Sequence, residues 1–343
     1  MHIRFLALAM LLLATHAQAE VYCVITNTQL INAIAAAQGG GASQIRVRTG
    51  TYVIATTPST PALEIADTSD LSISGGWNTG CTAQTASSPD QTILNALSSG
   101  RLLDIEFPNG SSNEISFSML SFRGGITNSP LSAGCVFAES LAGAGARLIF
   151  DLVSFRGCAN GPSGTTAGLR ANLNGVLFVL RSSVFSGNLL NGGNAMGLQG
   201  LGGTTHTLTN NTFASNTLPG FAGIYISGFP TDFFRLSNNI IHGNGTVDLY
   251  LENDVFALLN NNHIGVTSIL GAGVTENAAT TGDPGFVPGS LHLKANSPAR
   301  NSGLNAAPGG LPTTDFSLNP RILGGQVDRG AYEFDGFFAN GFE

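Results

Sequence analysis

The chain repeats a short motif in which an apolar residue is followed, five positions on, by an aromatic or apolar one, often with glycine and asparagine just beyond. Phe117 with Phe122, Phe150 with Phe155, Leu180 with Phe185, Leu208 with Phe213 and Leu236 with Ile241 are five copies. Their second members step by 33, 30, 28 and 28 residues. Leu258 with His263 reads as a sixth, weaker copy. The later copies carry Asn210-Asn211, Asn238-Asn239 and Asn260-Asn261 between the two apolar positions. Three residues beyond the second position come Asn188, Asn216 and Asn244, with Cys158 in the equivalent place one copy earlier. Self-similarity at such a period predicts a solenoid, whose repeats bury their apolar faces only by stacking on one another. Rungs stacked about 4.8 Å apart would let equivalent Asn amides bond along the stack as a ladder. Asn also tolerates the left-handed backbone of a tight corner.

A second column follows in each repeat. Val136/Ala138, Leu169/Ala171, Met196/Leu198, Ile224/Ile226 and Leu249/Leu251 alternate with residues of the opposite face. Period-two alternation with one apolar side marks a half-buried strand, and parallel strands joined coil upon coil take right-handed crossovers. The expected fold is therefore all-β, a single right-handed parallel β-helix. At its start, Leu30, Ile31 and Ile34 fall at helical spacing within 28–38, ahead of a glycine run and the Gly50-Thr51-Tyr52 strand end. A short capping helix there would cover the open strand edge of the first rung.

Composition narrows the setting. Met1 to Arg4 form a basic start, Phe5 to Ala14 an apolar run, and Ala17-Gln18-Ala19 a small-x-small cleavage site, so residues 1–19 read as a signal peptide for Sec export. The apolar run is too short to span a bilayer, so no membrane insertion is expected. A bacterial periplasmic, secreted or cell-surface location follows. Without Arg4 the chain has 13 basic and 21 acidic residues, a net charge of −8 that disfavours nucleic acid and anionic membrane as partners. Four cysteines suit an oxidising compartment. Three connectivities are open, and the nearest local pairs are Cys23 with Cys81 and Cys135 with Cys158. No pair has metal-ligand spacing, and no metal or other cofactor is expected.

The capping helix, Gly50-Thr51-Tyr52 and the Gly75-Gly76-Trp77 segment before Cys81 together resemble the opening of secreted bacterial pectin-lyase-like β-helix proteins. Asp283-Pro284-Gly285-Phe286, Leu291-His292-Leu293, Asn296-Ser297-Pro298-Ala299, Asn301-Ser302-Gly303, Asp315, Pro320-Arg321 and Val327-Asp328-Arg329-Gly330-Ala331-Tyr332-Glu333 resemble the terminal module called choice-of-anchor Q. Arg329 stands where that family usually has an apolar residue. The resemblance implies a β-helix terminus on surface or secreted proteins, with no defined chemistry, and cap-forming ion pairs among Arg321, Asp328, Arg329 and Glu333. The resulting division is a signal peptide at 1–19, an N-terminal cap at 20–44, the coil at 45–282, a C-terminal cap at 283–334 and a short tail at 335–343. The tail is similar to those on some exported Gram-negative proteins.

Enzymes of this class need clustered carboxylates, or an acidic calcium site with a basic residue. Between Asp151 and Asp232 there is no Asp or Glu, so the middle rungs lack these groups and no catalytic residue is assigned. Lys294 reads as a surface charge. His206, His242 and His263 fall in different columns and are not expected to converge. Asp104 and Glu106 alternate with apolar neighbours and are expected to face solvent, and Asp151 with Arg181 to form a structural ion pair. The outward residues of the second column are Phe137, Arg170, Gly197, Tyr225 and Tyr250, followed two residues on by Glu139, Asn172, Gln199, Ser227 and Glu252. Aromatic rings beside amides, hydroxyls and a guanidinium suit a glycan ledge, the rings stacking on sugar C–H faces. The competing reading is an ordinary solvated face. The candidate ligand-binding residues are Glu139, Arg170, Asn172, Gln199, Tyr225, Ser227, Tyr250 and Glu252. The expected function is a non-catalytic binding or adhesion module for polysaccharide or cell-envelope glycan. The alternatives are a polysaccharide lyase or glycoside hydrolase, and a purely structural surface protein.

Overall fold

The computed structural model describes residues 19–54, 61–66, 68–140, 145–216, 220–252, 254–270 and 273–336. All but the last residue of the expected signal peptide, and the tail from 337, lie outside the described residues. The chain winds as a single right-handed parallel β-helix. Ser43–Arg48 buries every second residue, as do Leu103–Phe107 and much of Glu114–Arg123, so the apolar members point into one continuous core. Among the described residues the strands form sheets of 16, eight and three members. The first sheet runs from Glu20–Val24 through Ser43–Arg48, Leu71–Trp77, Glu114–Arg123 and Arg147–Arg156 to Val274–Asn277. The second runs from Leu63–Ala66 through Val136–Ser140, Thr166–Leu173, Asn194–Gly200, Ala222–Ser227 and Val247–Leu251 to Thr267–Ile269.

The repeat register is the expected one over five rungs. Phe117, Phe150, Leu180, Leu208 and Leu236 are successive partners, as are Phe122, Phe155, Phe185, Phe213 and Ile241. The rings of Phe122 and Phe155 stack at 5.0 Å, Phe155 and Phe185 at 4.3 Å, and Phe185 and Phe213 at 4.4 Å. The sixth copy differs. Leu236 pairs with Leu259 and Ile241 with Ile264, one residue beyond Leu258 and His263. The Asn260-Asn261-Asn262 run offers two registers, and the hydrogen bonds select Asn262: Asn239 donates to its Oδ1 from both the backbone N and Nδ2, each at 2.9 Å.

Two asparagine ladders stiffen the corners. Asn211 donates twice to Asn239 Oδ1 at 2.9 Å, and Asn239 passes the pattern on to Asn262. Asn188 donates to Asn216, Asn216 to Asn244, and Cys158 N to Asn188, while Asp248 ends the row by accepting from Asn244. All six asparagines are buried. Each corner also needs one left-handed residue. Met119, Leu152, Ser182, Asn210, Asn238 and Asn261 fill one such column, with φ between 43° and 58°. Met119 and Leu152 hold that conformation at a cost of about 1–2 kcal/mol each, whereas Asn adopts it readily.

At the N-terminus the helix Asn27–Ala37 is fixed by a variant of the capping box, Thr26 Oγ1 accepting from Gln29 N and Gln29 Oε1 reaching one residue past the cap to accept from Ile25 N. Leu30, Ala33, Ile34 and Ala37 are buried. Ile31 faces outward, 45% exposed, because one residue of helical rotation carries it off the Leu30–Ile34 stripe. Residues 20–44 also supply a strand, Glu20–Val24, in parallel register with Ser43–Arg48. The cap after 282 lies along the flank of the coil. Leu304 O and Asp328 O accept from the corner residues Asn238 and Asn210, Thr209 donates to Pro308 O, and Phe316, Ala331 and Tyr332 pack on Val184. Arg321 and Glu333 form a buried ion pair at 3.0 Å. Arg329 forms none among the described residues: it donates to Ser302 O, Asn262 O, Ala278 O and Thr280 Oγ1, tying the cap to the last rungs.

Disulfides join Cys23 to Cys81 and Cys135 to Cys158, the nearest local pairs. They close separations of 58 and 23 residues. On the chain-entropy account these contribute at most about 4 and about 3 kcal/mol. No helix among the described residues is long and apolar enough to cross a membrane.

Two predictions follow from the interior. Asn239→Ala removes the acceptor of Asn211 and strands the buried groups on both sides, so it should lower unfolding stability by about 2–4 kcal/mol. Asn260→Ala, at the solvated margin, should cost under about 0.5 kcal/mol. Equal urea midpoints for the two variants would contradict a ladder that holds the coil. His206 is the second case. It lies wholly buried inside the coil, stacked on Phe234 at 4.9 Å with neither ring nitrogen hydrogen-bonded among the described residues, and burial pushes its pKa down to about 4. The unfolded chain takes up this proton near pH 6.5, so stability present at neutral pH is lost as pH falls through that window. The loss is roughly 3 kcal/mol by the time pH reaches 4. His206→Phe should remove this part of the acid sensitivity, read as the difference in urea midpoint between pH 7 and pH 4.5. An undiminished difference in the variant would locate the acid response elsewhere.

Candidate functional site

The second sheet presents two outward columns beside its buried ones. Phe137, Arg170, Gly197, Tyr225 and Tyr250 are successive partners, and Glu139, Asn172, Gln199 and Ser227 form the column next to them. The backbone N of Glu252 donates to Ile226 O, which sets Glu252 at the end of that row. Strand alternation alone brings these side chains onto one face.

A cleft of about 370 Å³ opens on this face. Of the residues expected from sequence, Arg170, Asn172, Gln199, Tyr225 and Ser227 line it. Arg170 is held by three contacts: Nε donates to Asn172 Oδ1 at 3.1 Å, and Nη1 to Pro130 O at 2.8 Å and to Thr165 Oγ1 at 2.9 Å. Its Nη2 has no partner among the described residues, and no carboxylate pairs with it. Burial lowers the guanidinium pKa, opposed by nearby Tyr225. A positioned, partly desolvated guanidinium with free donors is suited to a carboxylate or a pair of hydroxyls.

Opposite it the rings of Tyr225 and Tyr250 stack at 5.5 Å and 8°. Phe221 closes against Tyr250 at 4.8 Å and 58° and is 37% exposed. Burial, then the hydrogen bond to Glu252, raise the pKa of the Tyr225 phenol. Tyr250 and Glu252 thus support the rim through Tyr225. Glu139 lies beside Glu106, one rung before Arg170, outside the cleft.

Several lining residues are not legible in the alternation, among them Pro130, Gly192 and Gly193 outside the strands. Thr166 precedes a bulge between Thr166 and Leu169, which breaks the period-two reading. Asn194 pairs with Thr166 across that irregular stretch, and Thr165 and Phe221 sit just outside strand ends. An aromatic directly before the Ala222-Gly223-Ile224-Tyr225 alternation was the available signal for Phe221.

The other titratable groups separate from the cleft. Asp104 does not face open solvent: its side chain is 19% exposed and ion-paired with Arg101, because Phe137 and Arg101 cover it. Burial raises its pKa to about 7, Arg101 opposes the shift, and Glu64 and Glu139 add to it. Glu64 and Asp104 are register partners, as are Glu106 and Glu139, so an acidic stretch precedes the aromatic one along the same sheet. Asp151 pairs with Arg181 at 2.8 Å, as expected. The one-residue register difference puts His263 beside Ile240, and its ring comes within 6.2 Å of His242, so two of the three histidines do converge. His263 is occupied by Thr280 Oγ1 and Gly282 O at 2.8 and 2.9 Å.

No family model matches the chain, and no curated protein matches it. The resemblance of 283–334 to a terminal module therefore rests on its motif residues. Among solved structures, rice weevil pectin methyl esterase is similar at 13% identity, with 77% of this chain and 88% of that chain covered and a TM-score of 0.25. The register, the ladders and the crossovers identify the coil without help from that likeness.

Proposed function

We propose that the protein is an exported β-helix that binds polysaccharide without transforming it, through the cleft between Arg170 and the Tyr225–Tyr250 pair. The supporting observation is the guanidinium of Arg170, held by Pro130, Thr165 and Asn172 with no partner for Nη2 among the described residues, on the same face as stacked rings 5.5 Å apart. Rings supply an apolar platform for sugar C–H faces, and a guanidinium without a carboxylate partner favours sugars that carry one. Residues 1–19 would direct export, and 283–334 would act as a choice-of-anchor Q-like module on the flank. A second reading, a carbohydrate-active enzyme, is favoured by Asp104, whose pKa of about 7 suits a general acid or base.

The deciding measurement incubates the protein with a panel of plant and bacterial polysaccharides and follows both retention in gels and release of unsaturated or reducing ends. Retention without new ends is expected. Tyr225→Ala with Tyr250→Ala should weaken retention by about 1–3 kcal/mol per ring while leaving the fold intact, since neither ring belongs to the core. Arg170→Gln should lower affinity for a soluble polyuronate, with little change for its carboxyl-reduced form. New ends that disappear in Asp104→Asn would establish the enzyme reading in place of this one. Unchanged retention by the double tyrosine variant, at an unchanged melting temperature, would mark the face as solvated surface only.

A further inference from the structure

Gly197 is out of place. Every other rung of its column from Phe137 to Tyr250 carries a large side chain, yet the rung between Arg170 and Tyr225 carries none. The backbone does not demand it, because Gly197 lies outside the left-handed region. Crowding is confined to one contact. A Cβ there would stand 3.1 Å from Thr166 Oγ1, 3.7 Å from Arg170 Cγ and 3.9 Å from Asn194 Nδ2, so an alanine fits only if the buried Thr166 gives by a few tenths of an ångström. Gly200, at the end of the same strand, is different in kind: a Cβ there would meet the Asp232 carboxylate at 2.5 Å. Glycine inside a strand forgoes packing and costs chain entropy, and it often marks a bulge or a place that a ligand approaches.

We infer that Gly197 is the specificity-determining residue of the cleft, its missing side chain forming a subsite for a single pyranose-sized, hydroxyl-rich ring set between Arg170 and Tyr225. The strands of those residues lie two rungs apart, roughly 10 Å, and only Gly197 stands between them. An independent observation points into the same space. Thr166 is fully buried and lines the cleft, and its Oγ1 has no hydrogen-bond partner among the described residues. A buried hydroxyl left unpaired is costly unless a ligand completes it. Asn194, also buried, lines the cleft beside it. A ring seated over Gly197 would meet the Thr166 hydroxyl below, the Asn194 amide at its side and the Arg170 donors at one end. Bulkier substituents on that ring would be refused by the floor.

This inference rests on the binding reading above, and its test separates the two. Gly197→Ala and Gly197→Val are compared with wild type for affinity to an oligo-uronate by calorimetry, alongside melting temperature. Weakening by about fivefold for Ala and at least about thirtyfold for Val is expected, with melting temperatures equal to or above wild type, since both residues suit a strand better than glycine. Thr166→Val should lose about fivefold. If both Gly197 variants bind as wild type does while Tyr225→Ala with Tyr250→Ala fails to bind, the subsite is refuted and the ledge stands. A lower melting temperature in Gly197→Ala would show that the glycine is kept for packing, which also overturns the inference. Failure of the wild type to bind any member of the polysaccharide panel removes the binding reading and the subsite together.

Discussion

Everything in this molecule depends on register between one rung and the next. A parallel coil has no local hydrogen bonds of its own, so each backbone group and each buried amide must find its partner about 4.8 Å above or below. Asn239 illustrates the constraint, bonding simultaneously to the rung before through Asn211 and Leu208 O and to the rung after through Asn262. A slip by one residue would break the ladder and turn the stacked phenylalanines out of the core, bringing a flanking residue such as Arg156 inward in place of Phe155. The ladders therefore specify alignment, and the ring stack supplies apolar burial that rewards it. Neither alone would do so, because aromatic stacking tolerates sliding and a buried amide without its neighbour is a penalty.

The same constraint decides what could be read from the chain. Columns with distinctive side chains were legible: Phe122, Phe155, Phe185 and Phe213 cannot be confused with their neighbours, and the tyrosines at 225 and 250 follow from alternation. Legibility failed where the chemistry was degenerate. Three consecutive asparagines at 260–262 support two registers equally well in sequence, and only the bond from Asn239 distinguishes them. Ile31 satisfied an apolar pattern that the rotation of the helix does not allow. Asp104 seemed solvated because alternation assigns a face, while the loop bearing Arg101 and the ring of Phe137 bury what that face carries. Thr166 and Phe221 escaped for a related reason, since bulges and strand ends have no period.

The outward face of the second sheet is electrically divided. Glu64, Asp104, Glu106 and Glu139 occupy its early rungs, Arg170 stands at the boundary, and the later rungs present rings and neutral polar groups, with Glu252 at the end of the row. A chain of net negative charge repels an acidic polymer from most of its surface, and the acidic rungs strengthen that repulsion locally. Arg170 is the cationic side chain in the lining of the cleft. Because its Nε and Nη1 are already committed to Asn172, Thr165 and Pro130, the guanidinium has little rotational freedom left to lose on binding.

That division also bears on which parts of the face can cooperate. Asp104 lies two rungs before Arg170, with Phe137 and Arg101 between, so its carboxyl is separated from the cleft by an apolar ring and by its own counter-ion. A proton leaving Asp104 would have to cross that barrier to reach a sugar seated over Gly197. The rim carboxylate, Glu252, is engaged with the phenol of Tyr225, which burial and that carboxylate together keep protonated. Among the described residues, the lining of the cleft thus carries no carboxylate, and its polar groups are those of Arg170, Asn172, Asn194, Gln199, Tyr225, Ser227 and the threonines at 165 and 166. The carboxylates of this face therefore lie at its two ends, Glu64, Asp104, Glu106 and Glu139 upstream and Glu252 beyond Tyr225, with the cleft between them.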